Sequence, residues 1–303
     1  MKQKAIKAIL SALFLAVLLF LGVTVSASVE AALPANFVLI HGGEFIMGSP
    51  ETEFDRSSNE ETQHRVRLSS FCMSKYAVTV AEFKRFVEAS DYQTDAEKGG
   101  WSYIVSGSEF IKGKGINWYH GISGRVRPQS EKNHPVVYVS WNDAVAYCKW
   151  LSTKTGKRFR LPTEAEREYA CRAGSRTPFN TGENLTTNQS NYNGNYPYKY
   201  NPKGVYRQNT VAVNSFLPNA WGLYNMHGNV AEWCMDLYHG TYYDMCYEKG
   251  IVTNPAGPGT GSKRVLRGGS WADNARYCRS AGRDYAPSDG RSGSIGFRLV
   301  LDP

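Results

Sequence analysis

The cysteines and histidines are the first candidates for chemistry, because thiolates and imidazoles bind metals and act as nucleophiles or bases. The six cysteines lie far apart without a Cys-x-x-Cys pair, which argues against a zinc knuckle or a thioredoxin-type site. The six histidines show neither His-x3-His nor His-Glu-x-x-His spacing, so a metal site of that kind is unsupported. Some cysteines could pair as disulfides in an exported chain, whereas buried free thiols are an equal alternative for Cys148 and Cys171.

A run of oxygen-bearing residues lies between Asn225 and Glu232. The Asn225 amide, the Glu232 carboxylate and the carbonyls between them are hard ligands of the kind that calcium prefers. The alternative is that both side chains only hydrogen-bond the backbone turns around them. His227 lies in the same run beside a glycine, and we interpret it as a hydrogen-bonding spacer rather than an acid–base group.

Residues 272–294 contain no Val, Leu, Ile, Met, Phe or Trp, so the segment is predicted to be exposed and to form no core element. Its Tyr, Ser, Gly, Asn and Asp residues give the composition of antibody loops, which favours a binding surface over a merely solvated loop. Four arginines are predicted to brace it by pairing with carbonyls and carboxylates: Arg279, Arg283, Arg291 and Arg298. The candidate ligand-binding residues are Ala272, Asp273, Asn274, Tyr277, Gly282, Asp284, Tyr285, Ala286, Asp289, Ser292, Gly293 and Ser294.

The composition is that of a folded globular chain. It has 303 residues, of which 42% are hydrophobic and 20% charged, and this excludes disordered, collagenous and coiled-coil proteins. The net charge of +8 is dispersed along the chain, so no basic stripe indicates a nucleic-acid partner.

The N-terminus has the layout of a secretory signal. Lys2, Lys4 and Lys7 precede the apolar run 8–25, and a small-residue site ends at Ala27, so residues 1–27 are predicted to be a signal peptide. An uncleaved membrane anchor is the alternative. Either way we expect the folded part to be exported, to the cell surface, the periplasm or the medium.

Capping boxes predict three helices, because in each a Ser or Thr is followed three residues later by an acidic residue. They are Thr79 with Glu82, Ser140 with Asp143, and Thr163 with Glu166; Gly156 and Gly174 are the predicted C-terminal caps. The predicted strands are 44–47, 65–68, 135–139, 265–267 and 295–301. Residues 179–261 show no sustained period and are predicted to be mostly irregular.

Six ordered blocks between residues 37 and 301 resemble the formylglycine-generating-enzyme family. They are residues 42–49, Val78-Thr79, 134–141, 160–166, 222–233, and 267–271 with 296–298. The resemblance implies an α+β, C-type-lectin-like fold over residues 37–303, with small twisted antiparallel sheets, few helices and much irregular chain. It also maps a structural calcium site onto Asn225, Gly228, Val230 and Glu232.

The same family forms formylglycine with two cysteines, five residues apart after the Gly-Gly-Ser-aromatic motif, that bind copper. Here Asp273 stands at the first position and only Cys278 remains. One thiolate does not make a two-thiolate copper site, so the sequence predicts no catalytic residues and no oxidase activity, and Cys278 is interpreted as structural.

Residues 265–300 also resemble the variable region of the variable proteins of diversity-generating retroelements, which share the lectin-like fold. The mutable sites of those proteins never carry Lys, Glu, Gln, Met or Trp, and none of the five occurs in residues 272–294. We therefore predict an exported, surface-displayed protein that binds a macromolecular ligand, a protein or glycan on another cell. The alternative is a formylglycine-generating-type, sulfatase-modifying oxidase or a relative with an altered active site.

Overall fold

The computed structural model describes residues 33–106 and 109–302, and the predicted signal peptide lies outside them. The helices are α1 (Val80–Ser90), α2 (Asp95–Gly99), α3 (Trp141–Thr155), α4 (Glu164–Arg172) and α5 (Tyr242–Glu248). The strands are β1 (Phe37–Ile40), β2 (Gly43–Met47), β3 (His64–Leu68), β4 (Phe71–Ser74), β5 (Trp101–Ser106), β6 (Glu109–Lys114), β7 (Phe159–Arg160), β8 (Ala231–Leu237), β9 (Ile251–Thr253), β10 (Lys263–Arg267), β11 (Arg283–Pro287), β12 (Ile295–Gly296) and β13 (Val300–Leu301).

The three predicted capping boxes are confirmed at the starts of α1, α3 and α4. A fourth one, which the sequence analysis missed, opens the short helix α2 at Thr94. Helix α3 ends at Gly156 in the left-handed conformation, as predicted, but α4 ends one residue early at Ala173, with φ of 45°. Hydrogen bonds between near neighbours in the chain therefore decide where these helices begin.

The strands form small sheets with the orders β1-β4-β13-β7, β11-β10-β8-β12, β2-β3-β9 and the hairpin β5-β6. The predicted strand 135–139 is wrong: Tyr138 has φ of 61°, which breaks the extended backbone. The predicted strand 295–301 is two strands, β12 and β13, that belong to different sheets. Several strands that the sequence analysis missed are only two to four residues long and are defined by distant partners.

The main core lies between the β1-β4-β13-β7 sheet and the helices α1 and α3. Phe83 is stacked on Tyr147, with ring centroids 6.0 Å apart, and both rings contact Phe297 edge-on. Phe86 packs against the same tyrosine at 5.5 Å. Aromatic pairs of this kind add to the free energy gained from burying apolar area.

The irregular chain between α4 and β8 is held by side-chain amides. Asn191 donates to the Asn209 carbonyl, Asn229 to Val211 and Asn225 to Val213. Residues 173–230 of the described chain contain no helix or strand, as predicted, but the prediction fails beyond them because β8, α5 and β9 lie before residue 261.

The prediction that residues 272–294 are exposed is wrong for about half of the segment. Ala275, Cys278 and Ala281 have no exposed surface, and Arg279 and Arg283 are buried. The segment enters the interior without large apolar side chains because its arginines meet carboxylates there. Among residues 33–106 and 109–302, no helix is long and apolar enough to cross a membrane.

Candidate functional site

The chain leaves β10 through a tight turn at Gly268 and Gly269, whose φ angles of 97° and 66° suit glycine. A Cβ atom at Gly269 would lie 2.7 Å from the Cys278 sulfur, so the glycine also makes room for that side chain. The turn thus places Gly269 against Cys278, the one family cysteine that this chain keeps.

Ser270 and Asp273 form a hydrogen-bonded pair at this turn. The Ser270 hydroxyl donates to the Asp273 carboxylate at 2.7 Å and accepts from the Ala272 amide at 3.2 Å. Burial raises the pKa of Asp273 to about 6, although the bond from Ser270 opposes the rise. A carboxyl group with this pKa exchanges its proton near neutral pH.

Cys278 is fully buried, and its sulfur lies 4.0 Å from the Asn274 carbonyl. Burial, together with the charge of Asp273, raises the pKa of this thiol well above its usual range. The position five residues before it holds a carboxylate, and the thiol itself is protonated and enclosed. The residues present therefore do not fit a copper site of two thiolates.

A second thiol, Cys171 at the end of α4, lies against the ring of His227. Its sulfur is 3.7 Å from each ring nitrogen and 3.7 Å from the Ser280 hydroxyl. Nδ1 of His227 lies 2.7 Å from the Cys278 carbonyl, and Nε2 accepts from the Asn180 amide at 3.0 Å. With Nδ1 donating and Nε2 accepting, the ring links the loops at Asn180 and Cys278. Although burial opposes the shift, the neighbouring His227 lowers the pKa of the Cys171 thiol to about 6.

Three buried arginines hold the 267–283 segment in place. Arg267 donates to the carbonyls of Ser280, Ala281 and Gly282 and so fixes the backbone of residues 280–282. The sequence analysis predicted that four arginines brace the segment 272–294, and this is confirmed. Two of them, Arg279 and Arg283, pair with carboxylates, and the other two, Arg291 and Arg298, bind carbonyls and a carboxylate. Arg267 pairs with Glu168, Arg279 with Glu53 and Glu60 at 2.5 and 2.7 Å, and Arg283 with Glu164 at 2.7 Å.

The predicted ligand-binding residues do not share one surface. Tyr285 stacks on Tyr238 with ring centroids 4.0 Å apart, whereas the Gly293 amide donates to the Tyr103 carbonyl beneath β5. By exposure they divide into exposed Tyr277, Asp284, Tyr285 and Asp289, half-buried Ala272, Asp273, Asn274 and Ala286, and buried Gly282, Ser292, Gly293 and Ser294.

The four predicted calcium ligands lie in the loop that leads into β8. The Gly228 carbonyl accepts from the Val230 amide, and the Asn225 side-chain oxygen is buried without a hydrogen-bond partner. Both oxygens of Glu232, however, accept from arginine side chains. The carboxylate is already neutralised, so the set does not fit a calcium ion.

Two cavities lie near these residues. The larger, about 580 Å³, is lined by Phe45, Tyr169 and Trp221 together with Arg172 of α4 and Arg176 beyond the end of that helix. The smaller, about 280 Å³, is lined by His227 and a group of asparagines. Sequence reasoning missed the larger cavity, because no local motif marks it.

The profile of the sulfatase-modifying factor enzyme 1-like domain matches residues 24–303. The formylglycine-generating enzyme of Streptomyces coelicolor is 39% identical, over 88% of this chain and 88% of that enzyme. The inactive C-alpha-formylglycine-generating enzyme 2 of Mus musculus is 30% identical, over 87% of this chain and 84% of that protein.

Two solved structures share the fold. PvdO from Pseudomonas aeruginosa has a TM-score of 0.68 and 29% identity, covering 88% of this chain and 94% of that chain. Variable protein 1 of Treponema denticola has a TM-score of 0.61 and 23% identity, covering 88% and 95%. The predicted α+β, C-type-lectin-like fold is confirmed by these likenesses.

Proposed function

The chain belongs to the family of the sulfatase-modifying factor enzyme 1-like domain, and from that premise we propose that it is an enzyme of the formylglycine-generating type. The observation that carries the proposal is the 39% identity to a formylglycine-generating enzyme over 88% of both chains. Enzymes of the same name from Bos taurus and Mus musculus are 35% and 36% identical.

These relatives overturn the prediction of a retroelement-diversified binding protein without enzymatic activity. The structure supplies a physical reason for the misleading composition of residues 272–294. Small residues such as Gly282 and Ala281 are needed where the segment passes over buried arginines, and a Cβ at Gly282 would lie 2.9 Å from the Tyr277 carbonyl. Packing thus explains the absence of long side chains at these positions.

The proposed reaction converts the –CH2–SH group of a substrate cysteine into an aldehyde. Overall, the –CH2–SH group and O2 give the aldehyde, hydrogen sulfide and water, and two molecules of an external thiol supply two electrons and two protons as they join in a disulfide. Asp273 occupies the position of the missing family cysteine, and the Ser270 hydroxyl donates to its carboxylate. Asp273 is the residue placed to hold or release a proton there.

The test uses the purified full chain, a sulfatase-derived peptide with one cysteine, dissolved oxygen and a reducing thiol. The aldehyde is trapped with a hydrazide and detected by mass spectrometry. The proposal expects an aldehyde whose yield grows with enzyme concentration. A peptide that stays unmodified, with and without added copper, would overturn it.

Two variants then show which residue limits the reaction. Asp273→Cys restores the second thiol, and we expect it to raise the rate at least tenfold when copper is added. Asp289→Cys adds a thiol at an exposed position of the same segment and should leave the rate unchanged. Equal rates for both variants would show that position 273 does not limit the reaction.

Export is the second part of the proposal, and it is supported by the three lysines before the apolar run 8–25. The expected result is a mature chain that begins at Ser28 in the medium or the periplasmic fraction. Recovery of the full-length chain from the cytoplasmic fraction would contradict it. Recovery from the membrane with residue 1 retained would identify an anchor.

A further inference from the structure

Glu232 is enclosed by two guanidinium groups. Nε of Arg167 donates to its Oε2 at 2.7 Å, and Arg298 binds both carboxylate oxygens at 2.7 and 2.8 Å. All three side chains are at most 1% exposed. Buried charges persist only when they are paired and hydrogen-bonded, so this carboxylate depends on its two arginines.

Arg167 contacts one of the residues that the resemblance assigns to a metal ion, together with a second oxygen of the same loop. Its guanidinium binds the Glu232 carboxylate and, through Nη2, the Met226 carbonyl at 3.0 Å, which is an oxygen of the same loop. A Cβ atom at Gly268 would lie 2.7 Å from Nη2, so the neighbouring turn leaves space for this group. The cation that ties the loop to the rest of the molecule is therefore part of helix α4.

We infer that the guanidinium of Arg167 takes the place of the calcium ion predicted at Asn225, Gly228, Val230 and Glu232, so that this chain holds the loop without a metal. A calcium ion on Glu232 would lie about 2.3–2.6 Å from its oxygen. It would then be close to the two guanidiniums that contact the same carboxylate, and like charges at that distance repel.

The first test measures metal content and thermal unfolding of the full-length protein purified in millimolar calcium. We expect less than about 0.1 mole of calcium per mole of protein, and a Tm that changes by no more than about 1 °C between EDTA and excess calcium. Stoichiometric calcium that Glu232→Gln abolishes, or a Tm that falls by several degrees in EDTA, would overturn the inference.

The second test removes the guanidinium. Arg167→Met keeps an unbranched side chain but frees Oε2 of Glu232 and the Met226 carbonyl, next to the unpartnered Asn225 oxygen. We expect its Tm to be lower in EDTA and to rise by about 3 °C or more when millimolar calcium is added.

The matched control is Arg172→Met, which breaks another buried ion pair of the same helix, with Glu168. It should also lower the Tm, but calcium should not restore it. An Arg167→Met protein that folds and shows no more response to calcium than the control would contradict the replacement. If that variant does not fold, the calcium content of the unmodified protein decides. None of these readouts depends on enzymatic activity.

Discussion

Around α1 and α3 the interior is built from rings, whereas around residues 267–298 it is built from guanidinium–carboxylate pairs. Phe83 and Arg279 are both almost completely buried, yet one is surrounded by aromatic side chains and the other by Glu53 and Glu60. Apolar burial is tolerant of pH and salt, but a buried ion pair needs both partners charged. The two regions are therefore packed by different mechanisms, and the charged one includes α4 and the strands β8, β10 and β11.

The largest effect is expected in the ring region. Phe83→Ala should lower the free energy of unfolding by about 3–5 kcal/mol, because the lost contacts leave a cavity. Urea unfolding followed by tryptophan fluorescence measures it. The loss should be the same at about pH 5 and pH 8, since the contacts carry no charge. A loss that changed with pH would show that ionisable groups also contribute to the stability of the ring region.

The matching change in the charged region is Glu168→Gln, which leaves Arg172 and Arg267 facing a neutral group. We expect a loss of about 3 kcal/mol. Burial raises the pKa of Glu168, but the two arginines lower it by more, so the pKa is lowered overall. A carboxyl group with a lowered folded pKa stabilises above its unfolded pKa, and this contribution is lost as the pH falls. The difference between the two proteins should shrink in acid, while exposed Glu109→Gln should have no measurable effect.

Asp236 is a buried carboxyl group that accepts a hydrogen bond from the Glu164 amide. Burial, with the charge of Glu164, raises its pKa to about 8. A raised folded pKa gives stability that is present below the unfolded pKa and lost as the pH rises through the folded value. This group therefore makes the free energy of unfolding fall as the pH rises between about pH 5 and 7. In Asp236→Asn that fall should be smaller by about 1.4 kcal/mol per pH unit.

The control for that slope is Ser74→Ala, which removes the buried hydroxyl that binds the Tyr76 carbonyl. It should shift the whole curve without changing its slope, because serine does not titrate in this range. An Asp236→Asn curve parallel to that of the unmodified protein would show that Asp236 is not protonated in the folded state.

The smallest effect is expected on the surface. Lys84 and Glu88 pair across one turn of α1, and both side chains are about half exposed. Lys84→Ala should change the free energy of unfolding by no more than about 0.5 kcal/mol, because water screens the pair. A larger loss of free energy of unfolding would mean that charge pairs stabilise the ring region as well, so that the two regions would not differ in this respect.

The helices could be predicted from sequence because each capping box joins residues only three positions apart. The short strands could not, since Leu301 becomes a strand residue only by pairing with Cys72 and Phe159. The buried part of residues 272–294 was predicted to be exposed for a related reason. Arg279 looks like a surface residue until Glu53 and Glu60, more than 200 positions earlier, are placed beside it.

The candidate site was predicted in part. The turn at Gly268 and the position of Cys278 follow from the motif, whereas the arrangement of Cys171 against His227 depends on the path of the irregular chain. Arg167 lies in helix α4, which the sequence did predict. Its partner in β8 could be identified only from the folded structure.

The order of synthesis gives strand β13 a special position. It lies between β4 and β7, so the first sheet has an open gap until residues 300 and 301 have been made. Arg279, Arg283 and Arg298 likewise reach the ribosome exit long after most of their carboxylate partners. Much of the nascent chain therefore lacks these pairing partners until the residues after 279 have been made. Contacts between residues this far apart also form slowly, because closing the long intervening loop costs entropy before the contact stabilises it.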